Sequence, residues 1–484
     1  MRKSILWIGL AVSLSVGAVL FFLAGPALDP GVFLCLDEGG FVELHVERSD
    51  VAAAWLSEFD ITTGGSGFES LLKGHEGVLG RGAFRVSLSG VGIDRSSFHG
   101  AVEIADTSRV ESVLSSLIPW AEGRGIAVRS LDVTLPENLK PIFSLEGQAG
   151  NISLALWRGG EGSAVLIAED PYRLANMVCE RRDASNRKTE GDDWLRVQIP
   201  TNLVVLSGKV SSDERVSLEW GLSLDDEKAT LSCWSDWADV LLSQERRDEL
   251  AAMEPVPLHG EGKMAGLMSW TGSFGDMTSK LGGEVREELG PLLGDARFIG
   301  LDENDLLDIL DGRVSLSLGV AAGGLLGDFP GFSLFLEGIS NGLGKRLVDM
   351  ARPLPLPFGI RRLDLPGWKD GLALDIPVTA VMAYGDDGLA MGLMRPDSLN
   401  DSPDVPELLA EAAGKASPHV LALDLRALSN MMDIYRDLAR LSGMGPVREI
   451  TEDVGFLIAP WERLVMEPDG LDRATFFLFR RTYR

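Results

Sequence analysis

Two stretches of the chain repeat one another. Arg85 to Gly90 reads RVSLSG, and Arg313 to Gly319 reads RVSLSLG, 228 positions further on. In the first copy a strand-like Gly100 to Ile104, a helix-like Ser108 to Ile118 and a strand-like Val128 to Val133 follow; in the second the same order runs Phe332 to Leu336, Leu343 to Ala351 and Arg361 to Leu365. Further on, Ile152 to Trp157 and Val165 to Ala168 flank the turn Gly159, Gly160, Glu161, Gly162. Val378 to Tyr384 and Ala390 to Met394 flank Gly385, Asp386, Asp387, Gly388 in the same way. Agreement in order over several segments points to an internal duplication, which confines the chain to two like modules, about Gly40 to Glu180 and about Leu258 to Leu399.

Each copy mixes two hydrophobic periods. Val110, Val113, Leu114, Leu117 and Ile118 fall at helical spacing, whereas Phe84, Val86, Leu88 and Val314, Leu316, Leu318 alternate as half-buried strands do. The connecting turns are short and rich in glycine, which suits hairpins better than the long crossovers of a parallel sheet. The expected fold is therefore α+β: mainly antiparallel sheet in two tandem related modules, with helices packed on one face and an N-terminal transmembrane helix ahead of them. Domain limits follow at 1–28 for the anchor, 29–257 for the first module with its trailing strands and connecting helix, and 258–484 for the second.

Beyond each module the chain offers a strand-like passage, Trp194 to Ile199 and His419 to Leu425, and closing strands at Val216 to Leu224 with Ala229 to Cys233, and at Val454 to Ile458 with Ala474 to Phe479. Ser235 to Leu250 reads as a connecting helix with Ser235 as its N-cap. The polar stretch from Glu180 to Asp193 has little to bury and reads as a solvated loop.

The N-terminus departs from this pattern. Arg2 and Lys3 precede an uncharged, mostly apolar run from Ile5 to Ala24, long enough as a helix to rise roughly 30 Å and match the hydrocarbon thickness of a bilayer. Basic residues before the run and Asp29, Asp37 and Glu38 after it place the N-terminus inside and the bulk of the chain outside the cytoplasm. The small residues from Ala24 to Ala27 also offer a signal-peptidase site, in which case the mature chain is secreted. The formal charge of −27, from 45 basic against 72 acidic residues, sets a repulsive field against nucleic acid and anionic headgroups.

Strand–helix repeats behind one membrane segment, short acidic turns such as Ala168 to Pro171 and a terminal hydrophobic strand resemble a family of bacterial membrane-anchored extracytoplasmic proteins known only as a domain of unknown function. The resemblance implies a location at the cytoplasmic (inner) membrane and lends no active site.

Motifs of catalysis and metal binding are answered by simpler structural readings. His45, His75, His99, His259 and His419 stand singly, and Cys35, Cys179 and Cys233 lack metal-ligand spacing. The cysteines are either free buried thiols or include one long-range disulfide. Gly260, Gly262 and Gly266 miss the dinucleotide fingerprint by one position, and no Walker-type lysine follows any glycine loop. The acidic run Asp302, Glu303, Asn304, Asp305, Asp308, Asp311 invites calcium, but a helix capped by Asp302 or Asn304 and ended by Gly312 accounts for the same residues. Trp220, Trp234 and Trp237 form either an aromatic recognition surface or a strand-to-helix corner in the core.

No catalytic residue, cofactor or metal site is assigned. The functional expectation is a non-enzymatic, membrane-anchored cell-envelope protein with a binding or scaffolding surface. The alternatives are a carrier for a lipid or other apolar ligand held between sheet and helices, and an enzyme of unassigned class. Partners are then the membrane, an envelope protein or an apolar ligand, and not nucleic acid. The second copy alone carries an amphipathic helix from Leu428 to Leu438, and its Met431, Met432 and Tyr435 are the candidate contact residues at a seam between the modules, set against a plain role in the second module's core.

Overall fold

The computed structural model describes residues 41–46, 84–89, 99–104, 118–119, 122, 127–130, 137, 139–147, 150–159, 162–169, 171–179, 204–212, 216–259, 262–281, 301–322, 329–352, 360–375, 379–401, 403–442, 454–455 and 458–481. The apolar run at 5–24, most of the expected helix at 108–118, the polar stretch at 180–193 and the expected strand at 194–199 lie outside them. Among the described residues no helix is long and apolar enough to cross a membrane. The chain divides into two compact units, Met1–Asp236 and Trp237–Arg484. Both are α+β, with antiparallel sheet dominant and few helices.

The first unit contains β1 (Phe41–Val46), β2 (Phe84–Ser89), β3 (His99–Ile104), β4 (Ala127–Arg129), β5 (Leu139–Gly147), β6 (Gly150–Gly159), β7 (Gly162–Ala168), β8 (Val204–Ser212), β9 (Val216–Leu224) and β10 (Lys228–Ser235), with helix α1 (Pro171–Cys179). Its antiparallel ladders run β4–β5–β6–β7–β3–β2–β1–β8–β9–β10. Ala101, Ala155, Trp157, Leu166 and Ala168 form its core with Leu174 and Met177 of α1. The small alanines let α1 lie close against the sheet, and it contacts β6 and β7.

The second unit contains β11 (Gly266–Thr271), β12 (Arg313–Ala322), β13 (Phe329–Glu337), β14 (Ile360–Leu363), β15 (Trp368–Asp375), β16 (Thr379–Gly385), β17 (Gly388–Leu393), β18 (Val420–Asp424), β19 (Trp461–Asp469) and β20 (Arg473–Arg480). Its helices are α2 (Trp237–Leu241), α3 (Gln244–Ala251), α4 (Phe274–Leu281), α5 (Glu303–Asp311), α6 (Asn341–Ala351), α7 (Glu407–Ala413) and α8 (Leu425–Ser442), with a 3-10 turn at Pro396–Asn400. The antiparallel ladders run β14–β15–β16–β17–β13–β12–β11–β18–β19–β20.

The expectation of helices on one face fails in this unit. Leu343 and Val348 of α6 pack with Val314, Leu336, Leu372, Tyr384 and Leu389 on one face of the sheet. Leu409, Ala412 and Ala413 of α7 pack with Leu267, Val420 and Ala422 on the other. These two sets have opposite parity along the ladders, so the helices lie on opposite faces. The physical reason lies in strands such as β16, whose TAVMAYG carries apolar or small side chains on both sides and so needs cover on both. Gly344 brings α6 down onto β16, where a Cβ in its place would stand 3.0 Å from Tyr384 Cβ.

Local chemistry explains the helix limits. Ser340 caps α6 by accepting from the Leu343 amide at 3.2 Å. Asp302 and Asp305 form a reciprocal capping box on α5, which ends at Gly312, so the helical reading of the acidic run holds. The expected connecting helix is instead two pieces: α3 restarts at Ser243, whose side chain accepts from the Arg246 amide, so Ser243 rather than Ser235 supplies the cap there. Val454, Gly455 and Ile458 are helical, not a strand, and the strand comes later as β19. Trp220 pairs with Cys233 while Trp234 pairs with Glu219, so Trp220 and Trp234 point to opposite faces of their sheet.

Candidate binding surface

The second unit offers two contrasting sheet faces. On the α7 face, a diagonal of buried hydroxyls, Ser269, Ser315, Ser317 and Ser333, separates the Leu267 cluster from a second apolar cluster built on Phe335, Ala383 and Ala390. Ser269 and Ser315 share a hydrogen bond of 3.0 Å across the ladder, which satisfies hydroxyls that burial would otherwise penalise. The segment from Met253 to His259 crosses this face, and Val256 is buried in the Leu267 cluster.

Arg313 fixes that segment. Its side chain is buried, with Nη2 donating to the carbonyls of Glu254 at 2.8 Å and Ser417 at 3.3 Å. Nη1 reaches the Pro255 carbonyl at 3.4 Å and Glu337 Oε2 at 3.3 Å. One guanidinium thus ties together β12, β13, the crossing segment and the turn before β18, a task suited to its fork of donors. In the sequence this arginine is visible only as the first letter of a repeated strand.

His259 ends the crossing segment between two aromatic rings, its centroid 4.4 Å from that of Phe335 and 6.1 Å from that of Trp368. Nδ1 stands 3.3 Å from the Leu399 carbonyl, which can only accept, so Nδ1 carries the proton. Nε2 is shut from solvent and has no hydrogen-bond partner. Burial pushes this imidazole below the ordinary histidine range, against the Leu399 hydrogen bond and the charges of Asp387 and Glu337. Burial lowers His419 as well, beside Trp237 at 6.4 Å.

The α6 face is the less completely covered. Register places Met268, Leu316, Leu318, Leu421 and Leu423 on it, all half-buried. Trp270 pairs with Val314 at one end of this strip and Phe332 with Leu318 at the other. They keep 43% and 36% of their surface exposed. An indole and a phenyl ring left open beside a strip of Leu and Met are the side chains a partner interface or apolar ligand uses most.

Helix α8 carries the three residues singled out from the sequence. It contacts β12, β18 and β19, and since α7 occupies the other face of β18 and β19, α8 borders the strip. Leu425, Leu428, Met431 and Ala439 are buried. Tyr435 is half-buried, its hydroxyl donates to the Pro330 carbonyl, and burial pushes its phenol up. Met432 lies to the side near Gly455, and Ile434 is exposed. Met431 is thus buried and Tyr435 half-buried, while Trp270 and Phe332, exposed beside the strip, were not singled out from the sequence. Trp270 could have been found from its place: a large aromatic on the opposite strand face from Ser269 and Thr271.

Among the described residues no group of three or more His, Cys, Asp or Glu converges as a metal site. The acidic residues of α5 have other work: Asp305 binds Arg346, Asp308 accepts from the Ser340 amide and Asp311 from the Gly275 amide. Cys233 is a half-buried free thiol. No family model, curated protein or solved structure matches the chain.

Proposed function

We propose that the chain is a membrane-anchored extracytoplasmic cell-envelope protein built from two copies of one α+β module, and that it binds another envelope protein through the α6 face of the second. The observation that carries the binding reading is the pair Trp270 and Phe332, exposed on the same face beside the apolar strip. What supports the duplication is the ladder order. In each unit the first strand pairs with the second and the eighth, the third with the second and the seventh, and the fourth lies at the end.

A photo-crosslinking residue at position 270 tests the binding reading in native membranes. The expected product is an adduct with a second envelope protein that is missing when the same residue replaces Glu407 on α7. A lipid adduct instead favours the apolar-ligand carrier, a reading supported by the recessed Met268, Leu316 and Leu421 between the bordering helices. Absence of any adduct rejects both.

The anchor rests on the apolar run from Ile5 to Ala24. Fractionation followed by N-terminal sequencing is expected to find the chain in the membrane with its N-terminus intact. A soluble mature chain beginning near Leu28 would leave export standing and remove the anchor.

A further inference from the structure

His259 joins three elements that do not pair directly with one another. Its ring leans on Phe335 of β13, meets Trp368 at the start of β15 and donates to the carbonyl of Leu399 in the 3-10 turn, while its own segment covers the Leu267 cluster through Val256. Phe335 and Leu399 belong to the same apolar cluster, with Trp368 packed against it. The ring fills this place only as the neutral tautomer, because Nε2 faces no acceptor and no solvent. A second proton there would put a charged donor into an apolar setting without a partner.

We propose that His259 is an acid-sensitive latch, whose protonation frees the segment from Val256 to His259 and the 3-10 turn Pro396–Asn400 from the α7 face. The charged groups that act on the ring come from two of the elements around it. Glu337 extends from β13, and Asp387 from the turn between β16 and β17. Neither accepts from Nε2, and Glu337 is already held by Arg313. At the start of β15, Lys369 is bound to Asp386, and the crossing segment itself is held by Arg313 at Glu254 and Pro255.

The sign follows from linkage. A histidine whose folded value lies below its unfolded one binds the proton more readily in the released state, so the latch is at full strength above about pH 6.5 and weakens as pH falls below it. At about pH 5.5, one unit lower, the population of the released state rises by up to about tenfold. An extracytoplasmic location would expose this device to the pH of the surroundings, although the latch itself does not depend on that reading.

Hydrogen exchange of the full-length protein in detergent, at about pH 7.5 and about pH 5.5 with rates corrected for intrinsic chemistry, tests it. Peptides spanning 253–259 and 394–401 should lose protection selectively at the lower pH. His259→Gln, which keeps a donor for Leu399 but does not titrate in this range, should stay protected at both, and His259→Phe should do so through stacking alone. His419→Gln should remain as acid-sensitive as the native chain. The proposal is overturned if native peptides keep their protection at the lower pH, if both position-259 variants open with acid as the native protein does, or if both are already open at neutral pH.

Discussion

Arg313→Ala is expected to destabilise the second unit by about 2–4 kcal/mol, because the buried guanidinium donates to three main-chain carbonyls, while its contact with the part-exposed Glu337 adds little. The change strips donors from the carbonyls of Glu254, Pro255 and Ser417 at once and leaves a void where the guanidinium lay. Lysine should recover only part of the loss, since a single ammonium cannot span carbonyls on separate segments. As a reference, Arg362 pairs with Asp370 but keeps 72% of its side chain exposed. There, screening and side-chain entropy limit the effect of Arg362→Ala to less than about 1 kcal/mol. Urea unfolding of the full chain followed by tryptophan fluorescence measures both. A cost at Arg313 no larger than at Arg362 would mean that the crossing segment is held by its apolar contacts and by hydrogen bonds such as that from the Val256 amide to the Ala413 carbonyl, without need of the guanidinium.

Leu166→Ala and Leu343→Ala should each cost about 2–5 kcal/mol, and each in only one unit. Both leucines are fully buried, Leu166 in the alanine-rich core beside α1 and Leu343 beneath α6. Because each of these clusters is drawn from one unit, thermal unfolding should show two transitions, as expected of multidomain chains. The first variant should lower one transition and the second the other. A single transition lowered equally by both variants would show that the chain unfolds as one cooperative body.

Much of the strand content was legible in the sequence, and for a simple reason. Where one face of a strand packs differently from the other, as in Arg313 to Leu318, the two-residue period is written in the residues themselves. The α5 helix was legible for a similarly local cause, since Asp302 and Gly312 act on backbone groups within a turn of themselves. The reading failed where the local signal was ambiguous. Val454 to Ile458 is a short apolar run, which a helical turn and a strand can share. In β19 the sequence WERLVMEPD hides its alternation, because Leu464, Val465 and Met466 are consecutive and all at least half-buried. Ser235, read as the cap of one connecting helix, instead ends β10, and Ser243 caps the second of two helical pieces.

The candidate surface shows the same division. The sequence by itself determined the α+β class, the amphipathic stripe of α8 and the alternation that sets Trp270 apart from Ser269, because these depend on spacing over a few residues. Only the tertiary structure decided that α6 and α7 cover opposite faces, that Met431 turns inward and that Trp270 and Phe332 stay open. Arg313 and His259 belong to this second group as well. Their partners, Ser417 for one and Leu399 for the other, lie 104 and 140 residues away along the chain. Which carbonyl meets which donor across such a separation is set by how the sheet brings segments together, and no periodicity or local motif encodes it.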